Sequence, residues 1–234
     1  MFTNAFNFRD LSTADSDRIR PGRVYRSDAL TQLDDAEWKR FRELGVRTVL
    51  DLRTPEEVST QGRIRTDSAV DYRNLSLLRT FWDTVAYDES QGVARYLCDR
   101  YLDLTDEGAA ELATCLDLLA TPDAGPVVFH CAGGKDRTGV LAALTLGLLG
   151  ASDQAIVADY ARTADTVHLV TARLAAGYGH GAGHFPPFSA CPGDAMTLFL
   201  AELRARHGSL DGYVSSIGVP PATVAALRTH LMPL

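Results

Sequence analysis

The chain has 234 residues, of which 46% are hydrophobic, so it can bury one sizeable core, and we expect residues 1–234 to form a single domain. Its net charge of −7 argues against general affinity for nucleic acid and against stable association with an anionic membrane. The longest apolar run, 140–149, is far shorter than the ~20 residues that cross a bilayer, and the N-terminus lacks a secretory pattern, so a cytoplasmic location is expected.

Strand-like and helix-like segments alternate along the chain. Short apolar, β-branched runs predict strands at 24–27, 46–52, 70–75 and 127–130. Helical periodicity predicts helices at 33–44, 92–104, 107–119, 138–149, 153–161, 166–176, 195–206, 210–216 and 222–231. Thr31 or Asp34 is expected to cap the first helix, which Gly45 ends. This order favours an α/β fold with a parallel-rich central sheet flanked by helices on both faces.

Two segments are predicted to control access to a site. The first, 77–104, contains Phe81, Trp82 and Tyr87 and is interpreted as a lid insertion. The second, 177–194, is rich in glycine and proline and is interpreted as a mobile loop. Its His180 and His184 have a spacing that metal ligands use on helices, but a flexible loop explains them better than a metal site does.

The segment 127–139 carries the most specific chemistry in the chain. Its sequence, Val-Val-Phe-His-Cys-Ala-Gly-Gly-Lys-Asp-Arg-Thr-Gly, indicates an apolar strand, a loop that opens on Cys131, and a helix. Backbone N–H groups of such a loop form a concave site for a tetrahedral dianion, and phosphate is the expected ligand. The same groups stabilise a thiolate, so we expect Cys131 to be ionised near neutral pH. Arg137 supplies a planar fork for two phosphate oxygens.

The pattern His-Cys-x-x-Gly-x-x-Arg-Thr at 130–138 resembles the signature of the cysteine-dependent protein tyrosine phosphatase superfamily. The fuller Cys-x-x-Gly-Lys-Asp-Arg-Thr-Gly is similar to its bacterial tyrosine phosphatase B-like branch, whose members act on phosphoproteins and sometimes on phosphoinositides. Further stretches that fit this branch are 7–11, 21–27, 51–58, 157–160 and 208–213. The resemblance therefore covers nearly the whole chain.

A phosphatase of this kind needs no cofactor and no metal. Cys131 attacks phosphorus and forms a thiophosphate intermediate, while Arg137 and the loop amides hold the equatorial oxygens. The hydroxyl of Thr138 is expected to hydrogen-bond the sulfur and improve it as a leaving group, or else only to cap the helix. His130 is expected to order the loop through a backbone hydrogen bond rather than to act as a base.

The substrate phosphate is expected to contact the loop and the ends of neighbouring strands. The predicted substrate-binding residues are Ala132, Gly133, Gly134, Lys135, Asp136, Arg137, Asp51 and Arg53. For Asp51 and Arg53, an ion pair that only holds the loop is an equally good interpretation. Arg9 and Asp10 either brace the site or, more simply, form a surface salt bridge.

The leaving group needs a proton, so a general acid must be identified. Many relatives carry the general acid in a Trp-Pro-Asp loop, which is absent here. The sequence Phe81-Trp82-Asp83 matches that tripeptide only in part, because it lacks the proline. The resemblance favours Asp136 inside the signature, with Asp83 as the alternative. The other interpretation of Asp136 is a helix-capping aspartate without a catalytic role.

The substrate class is less constrained than the reaction. A broadly specific protein tyrosine phosphatase is favoured; the alternatives are a phosphatase for a nucleotide, sugar phosphate or inositol phosphate, and an inactive module that only binds phosphorylated ligands. Lys135 is expected at the mouth of the pocket, where a second phosphate would meet it. Ala132 stands where the branch usually has a bulky residue, so the resemblance does not fix the depth of the pocket.

The four cysteines show no paired zinc spacing, and a reactive thiolate requires a reducing compartment. Cys98 and Cys115 fall on amphipathic helical stretches and are expected in the core. Cys191 falls in the glycine-rich region and is considered as a reversible disulfide partner that protects Cys131 from oxidation.

Overall fold

The computed structural model describes residues 2–67, 69–79, 82, 85–178 and 185–233, with the backbone alone at 177 and 178. The strands are β1 (Arg9–Asp10), β2 (Val24–Ser27), β3 (Thr48–Asp51), β4 (Asp71–Asn74) and β5 (Val127–His130). The helices are α1 (Asp35–Glu43), α2 (Pro55–Gln61), α3 (Gly92–Glu107), α4 (Ala109–Ala120), α5 (Asp136–Leu148), α6 (Asp153–Ala161), α7 (Val167–Tyr178), α8 (Pro186–Ser189), α9 (Gly193–His207), α10 (Leu210–Ser216) and α11 (Pro221–Leu231).

The described strands form one sheet in the order β1-β2-β5-β3-β4. β2, β5, β3 and β4 run parallel, and only β1 is antiparallel to its neighbour. The predicted α/β fold with a parallel-rich sheet is therefore confirmed. His130 at the end of β5 is in register with Ser27 of β2 and Asp51 of β3, so three strands end side by side at the edge where α/β sheets bind ligands.

Both faces of the sheet are covered, because side chains along a strand alternate between its faces. Val49 and Val128 pack with Phe41 of α1 on one face. Leu50 and Phe129 belong to the larger cluster on the other face, which includes residues of α3, α4, α5, α9 and α11. The predicted two-sided helical cover is confirmed.

Capping explains where the helices near the sheet begin. Asp34, not Thr31, caps α1, because its carboxylate accepts a hydrogen bond from the N–H of Glu37. The sequence analysis missed α2, a seven-residue polar helix without apolar periodicity. Thr54 caps it, and Glu57 completes the capping box. This short helix places Glu57 beneath the site described below.

The two segments predicted to control access contact each other through an aromatic cluster. Its rings meet edge to face, with centroids 4.9 to 5.8 Å apart, and belong to Tyr87, Tyr96, Phe185 and Phe188. The prediction of a loop throughout 177–194 is wrong at 177–178, which end α7, at 186–189, which form α8, and from Gly193, where α9 begins. Phe81, Asp83, His180 and His184 lie outside the described residues.

Two features are absent from the described part of the chain. No helix there combines the length and apolar character needed to span a bilayer. Likewise, the described His, Cys, Asp and Glu side chains form no group of three or more that would hold a metal ion.

Candidate active site

Cys131 lies at the carboxyl edge of the sheet, directly after β5, and is only 2% exposed. It begins the cysteine loop, residues 131–137, which leads into the first turn of α5. Two backbone hydrogen bonds fix the start of this loop between its neighbours. Leu52 N–H donates to the carbonyl of His130 at 2.8 Å, and Ala29 N–H donates to that of Ala132 at 3.2 Å.

The loop and the N-terminus of α5 present backbone donors without helical partners. The N–H of Gly139 donates to the carbonyl of Lys135 at 2.7 Å, which starts the helical hydrogen-bonding pattern. The N–H groups of 136–138 precede that bond, so they have no carbonyl within the helix to bind. These N–H groups and the positive end of the helix dipole lie where the sequence predicts an anion site, which stays a prediction.

Gly134 is required by close packing behind the loop. Its φ angle is +64°, and a Cβ atom there would lie 2.5 Å from the nitrogen of Asp28 and 2.6 Å from the carbonyl oxygen of Ser27. A side chain would therefore push the loop off the end of β2.

A buried polar network holds the outer side of the loop. The carbonyl of Gly134 accepts hydrogen bonds from Arg26 Nη2 and Asn7 Nδ2, both at 2.8 Å. Asp159 pairs with Arg26 at 2.5 Å and with Arg9 Nε at 2.7 Å. The C=O and N–H of a trans peptide point in opposite directions. Since the network binds the carbonyl of Gly134, the N–H of Lys135 in the same peptide points away from the network.

The expected surface salt bridge of Arg9 is wrong, because its side chain is 7% exposed and belongs to this network. Burial and the charge of Arg26 lower the pKa of Arg9 to about 10, against the opposing effect of Asp159. Burial alone would raise the pKa of Asp159, but the two arginines lower it. Asp10 instead closes a turn, accepting from the N–H groups of Ser12 and Gly22.

Arg137 is held by Glu57, which the sequence analysis did not select. Nη1 and Nη2 donate to the two carboxylate oxygens at 2.5 and 2.9 Å, and the side chains are 11% and 3% exposed. Burial would raise the pKa of Glu57, but Arg137 lowers it; burial would lower the pKa of Arg137, but Glu57 raises it. Since a guanidinium has five N–H donors, three remain for an oxyanion.

Asp136 begins α5 and has a 21% exposed side chain. Its Oδ1 accepts a hydrogen bond from the hydroxyl of Tyr101 at 2.8 Å. Thr138 is fully buried, and its hydroxyl has no hydrogen-bond partner among the described residues. It is therefore not engaged in capping α5, and its role at the sulfur stays a prediction.

Lys135 does not lie free at the mouth of the pocket, as the sequence analysis expected. Its side chain is 4% exposed, and its ammonium donates to the carbonyls of Pro187 at 2.7 Å and Ala190 at 2.9 Å. The Nζ is also 3.4 Å from Oδ1 of Asp136. Lys135 therefore ties the cysteine loop to the segment around α8.

His130, Asp51 and Arg53 support the loop from the sheet. His130 is fully buried and contacts the carbonyl of Cys131 through Nδ1 at 3.3 Å, which confirms the expected backbone hydrogen bond. Burial lowers the pKa of His130, so the imidazole is neutral at pH 7. Asp51 and Arg53 form a fully buried ion pair at 2.6 Å, as in the purely structural interpretation. Tyr72 donates to the same carboxylate at 2.8 Å.

All four cysteines are buried free thiols. Cys98 and Cys115 lie in the core, as predicted. Cys191 was expected in a mobile loop but is packed at 7% exposure, and its Sγ donates to the carbonyl of Tyr160 at 3.4 Å. Burial raises the pKa of Cys191, which makes it a neutral thiol.

Several residues that contact the cysteine loop, or that hydrogen-bond to those contacting residues, come from the stretches noted above for their resemblance to one family. Those stretches supply Asn7, Arg9, Arg26, Glu57, Asp159 and Tyr160. The resemblance was a usable signal for these positions, but it did not show which partner each one would meet.

Comparison with known proteins shows which family the chain resembles. A family model described as "Tyrosine phosphatase family" matches residues 1–233. The triple specificity protein phosphatase PtpB of Mycobacterium tuberculosis is 30% identical over 268 aligned residues, covering 97% of each chain. A tyrosine-protein phosphatase of Nostoc commune is 29% identical, covering 88% of this chain and 73% of that protein. The solved structure of TpbA from P. aeruginosa matches 86% of this chain and 91% of that one, at 19% identity and a TM-score of 0.35.

Proposed function

This chain belongs to the tyrosine phosphatase family and is a phosphatase, and we propose that it hydrolyses phosphomonoesters of broad structure through a phosphocysteine at Cys131. The observation that carries this assignment is the position of Arg137. Glu57 fixes its guanidinium at the end of a loop that opens on a cysteine, where the first N–H groups of α5 have no carbonyl partner within the helix. A thiolate, a planar cation and a ring of amides at one place suit the transfer of a phosphoryl group.

The reaction proceeds in two steps. In the first, Sγ of Cys131 attacks phosphorus, the S–P bond forms, the bond to the leaving oxygen breaks, and that oxygen takes a proton from Asp136. In the second, water attacks phosphorus, its proton passes to Asp136, and the S–P bond breaks to restore the thiolate. Arg137 and the loop amides stabilise the equatorial oxygens in both steps, and Thr138 donates to the departing sulfur.

Phosphorylated proteins are the proposed substrates. The printed names of the relatives describe protein phosphatases, one of them of triple specificity. The case for a small molecule with two phosphates rested on a free Lys135, whose ammonium is bonded to backbone carbonyls instead. We place Ala132, Gly133, Gly134 and the following loop residues around the substrate phosphate, with Asp51 and Arg53 as their support.

We also propose that residues 1–234 act as one phosphatase domain in the cytoplasm. The thiols of the chain are unpaired, as a reducing compartment keeps them, and the nucleophile must stay reduced to act.

The test combines a nucleophile variant with a substrate panel. Cys131→Ser should abolish hydrolysis of p-nitrophenyl phosphate and still bind vanadate, because the loop amides and Arg137 remain; residual turnover within tenfold of wild type would contradict the cysteine mechanism. Phosphopeptides, nucleotides and inositol phosphates are then compared by kcat/KM. A preference for phosphopeptides supports the protein substrate, and a hundredfold preference for a small phosphomonoester refutes it.

A further inference from the structure

We infer that Tyr101, with Tyr160 behind it, is a positioning residue that orients the carboxyl group of Asp136 for proton transfer. The inference rests on the proposed function, since it requires Asp136 to be the general acid. It assigns a role to a buried pair of tyrosines that the mechanism above does not use.

The hydrogen bonding leaves one carboxylate oxygen of Asp136 available for chemistry. Tyr101 lies on α3, is fully buried, and donates its hydroxyl hydrogen to Oδ1 at 2.8 Å. The ammonium of Lys135 is also on the Oδ1 side, at 3.4 Å. Among the described residues, no side chain or backbone group hydrogen-bonds Oδ2. The carboxyl group is therefore held by Oδ1, and Oδ2 is the oxygen that carries the transferable proton.

The direction of the hydrogen bonds follows from proton counting. Oδ1 of Asp136 carries no proton, either in the ionised carboxylate or in the acid protonated on Oδ2, so it only accepts, and the single hydroxyl hydrogen of Tyr101 is directed at it. The hydroxyls of Tyr101 and Tyr160 are 2.5 Å apart, so Tyr160 is the donor to the oxygen of Tyr101. Burial raises the pKa of both phenols well above the usual value, which keeps both protonated. Tyr101 consequently orients the acid without losing its own proton.

Aromatic packing keeps the side chain of Tyr101 from rotating away from Asp136. The ring of Tyr101 lies edge to face with Tyr160 and Phe199, each with centroids 6.0 Å apart, and tilted against Trp82 at 6.2 Å. A Cβ atom at Gly139 would lie 3.1 Å from the ring of Tyr160. The last glycine of the signature therefore lets Tyr160 approach α5 closely enough to reach Tyr101.

The same hydrogen bond serves both steps of the reaction. When Oδ2 gives its proton to the leaving oxygen, negative charge develops on the carboxylate, and the phenol of Tyr101 stabilises it through Oδ1. When Oδ2 of Asp136 later takes a proton from water, the carboxylate is already oriented. The proton of Tyr101 stays on its oxygen throughout.

The test uses Tyr101→Phe, with Tyr213→Phe as the matched control. Tyr213 is equally buried, but donates to the carbonyl of Thr105 at 2.8 Å, so its variant loses the same group without touching Asp136. Tyr101→Phe should lower kcat/KM for phenyl phosphate about tenfold and change that for 2,4-dinitrophenyl phosphate less than about twofold, because kcat/KM reports the first step, in which only the poor leaving group needs full protonation. The control should change neither by more than twofold.

A double variant separates positioning of Asp136 from a mere loss of stability. In an Asp136→Asn background, Tyr101→Phe should cause no further loss on phenyl phosphate. An equal loss on both substrates, or a full additional loss in the double variant, would overturn the inference.

The outcome also distinguishes this inference from the proposed function. If Asp136→Asn slows both leaving groups equally, the acid lies elsewhere and the role of Tyr101 falls with it. An inactive Cys131→Ser would in that case still support the phosphocysteine mechanism.

Discussion

The contact between Glu57 and Arg137 gives the sharpest quantitative prediction, through the variant Glu57→Gln. One oxygen of Glu57 accepts both from Arg137 Nη1 at 2.5 Å and from the N–H of Thr54 at 2.7 Å; the other accepts from Arg137 Nη2 at 2.9 Å. A glutamine can keep one of these acceptor positions, but its amide NH₂ then faces a guanidinium donor at the other. One charge-assisted hydrogen bond is lost, and a buried cation is left uncompensated.

The burial of this pair sets the size of the effect. Because Glu57 is 3% and Arg137 11% exposed, the cost of breaking a buried pair applies rather than that of a surface pair, which gives about 3 kcal/mol. For a chain of this length, that corresponds to a fall in Tm of about 6–12 °C. Since the guanidinium is no longer fixed beside the loop, kcat/KM should also fall, by about a hundredfold.

The assay is urea denaturation at pH 7 together with steady-state kinetics on p-nitrophenyl phosphate. Glu56→Gln is the control, since Glu56 lies in the same first turn of α2 but is exposed. It should change the free energy of unfolding by less than about 0.5 kcal/mol. If Glu57→Gln behaves like this control in stability and stays within threefold in kcat/KM, Arg137 is positioned by other groups and the reasoning is refuted.

Two further predictions concern the supports of the loop. Asp159→Asn leaves Arg9 and Arg26 facing a neutral amide and should lower the free energy of unfolding by about 3 kcal/mol, measured in urea at pH 7. The folded state lowers the pKa of Asp159 from 3.8, so its contribution to stability is present above that pH and is lost as the pH falls below it. The free energy of unfolding of the variant should therefore fall less than that of wild type on acidification below pH 4. Parallel curves of unfolding free energy against pH would contradict this. Lys135→Met removes the ammonium that donates to two backbone carbonyls, so kcat/KM should fall equally for substrates with one phosphate and with two. A loss confined to substrates with two phosphates would show instead that the ammonium reaches the substrate.

The sequence alone was sufficient for the parts of the site that are local. The strand, the loop and the helix of 127–148 are contiguous, so the spacing of Cys131 and Arg137 already implied an anion cradle at the end of a buried strand. The parallel-rich sheet also followed, because buried strands and amphipathic helices alternate in the sequence. Cys131 directly follows β5 and Arg137 lies in the first turn of α5, while the roles of both residues in binding and catalysis stay predictions.

The contacts that hold and tune this site were decided by tertiary structure. Glu57 is 80 residues from Arg137, Tyr101 is 35 residues from Asp136, and Asp159 is 133 residues from Arg26. Each pair is brought together by the packing of two elements whose own patterns specify only which face is buried, not which polar group it meets. Lys135 shows the same limit, since its charge suggested a substrate contact, whereas the fold brings backbone carbonyls of the α8 segment within reach of its ammonium.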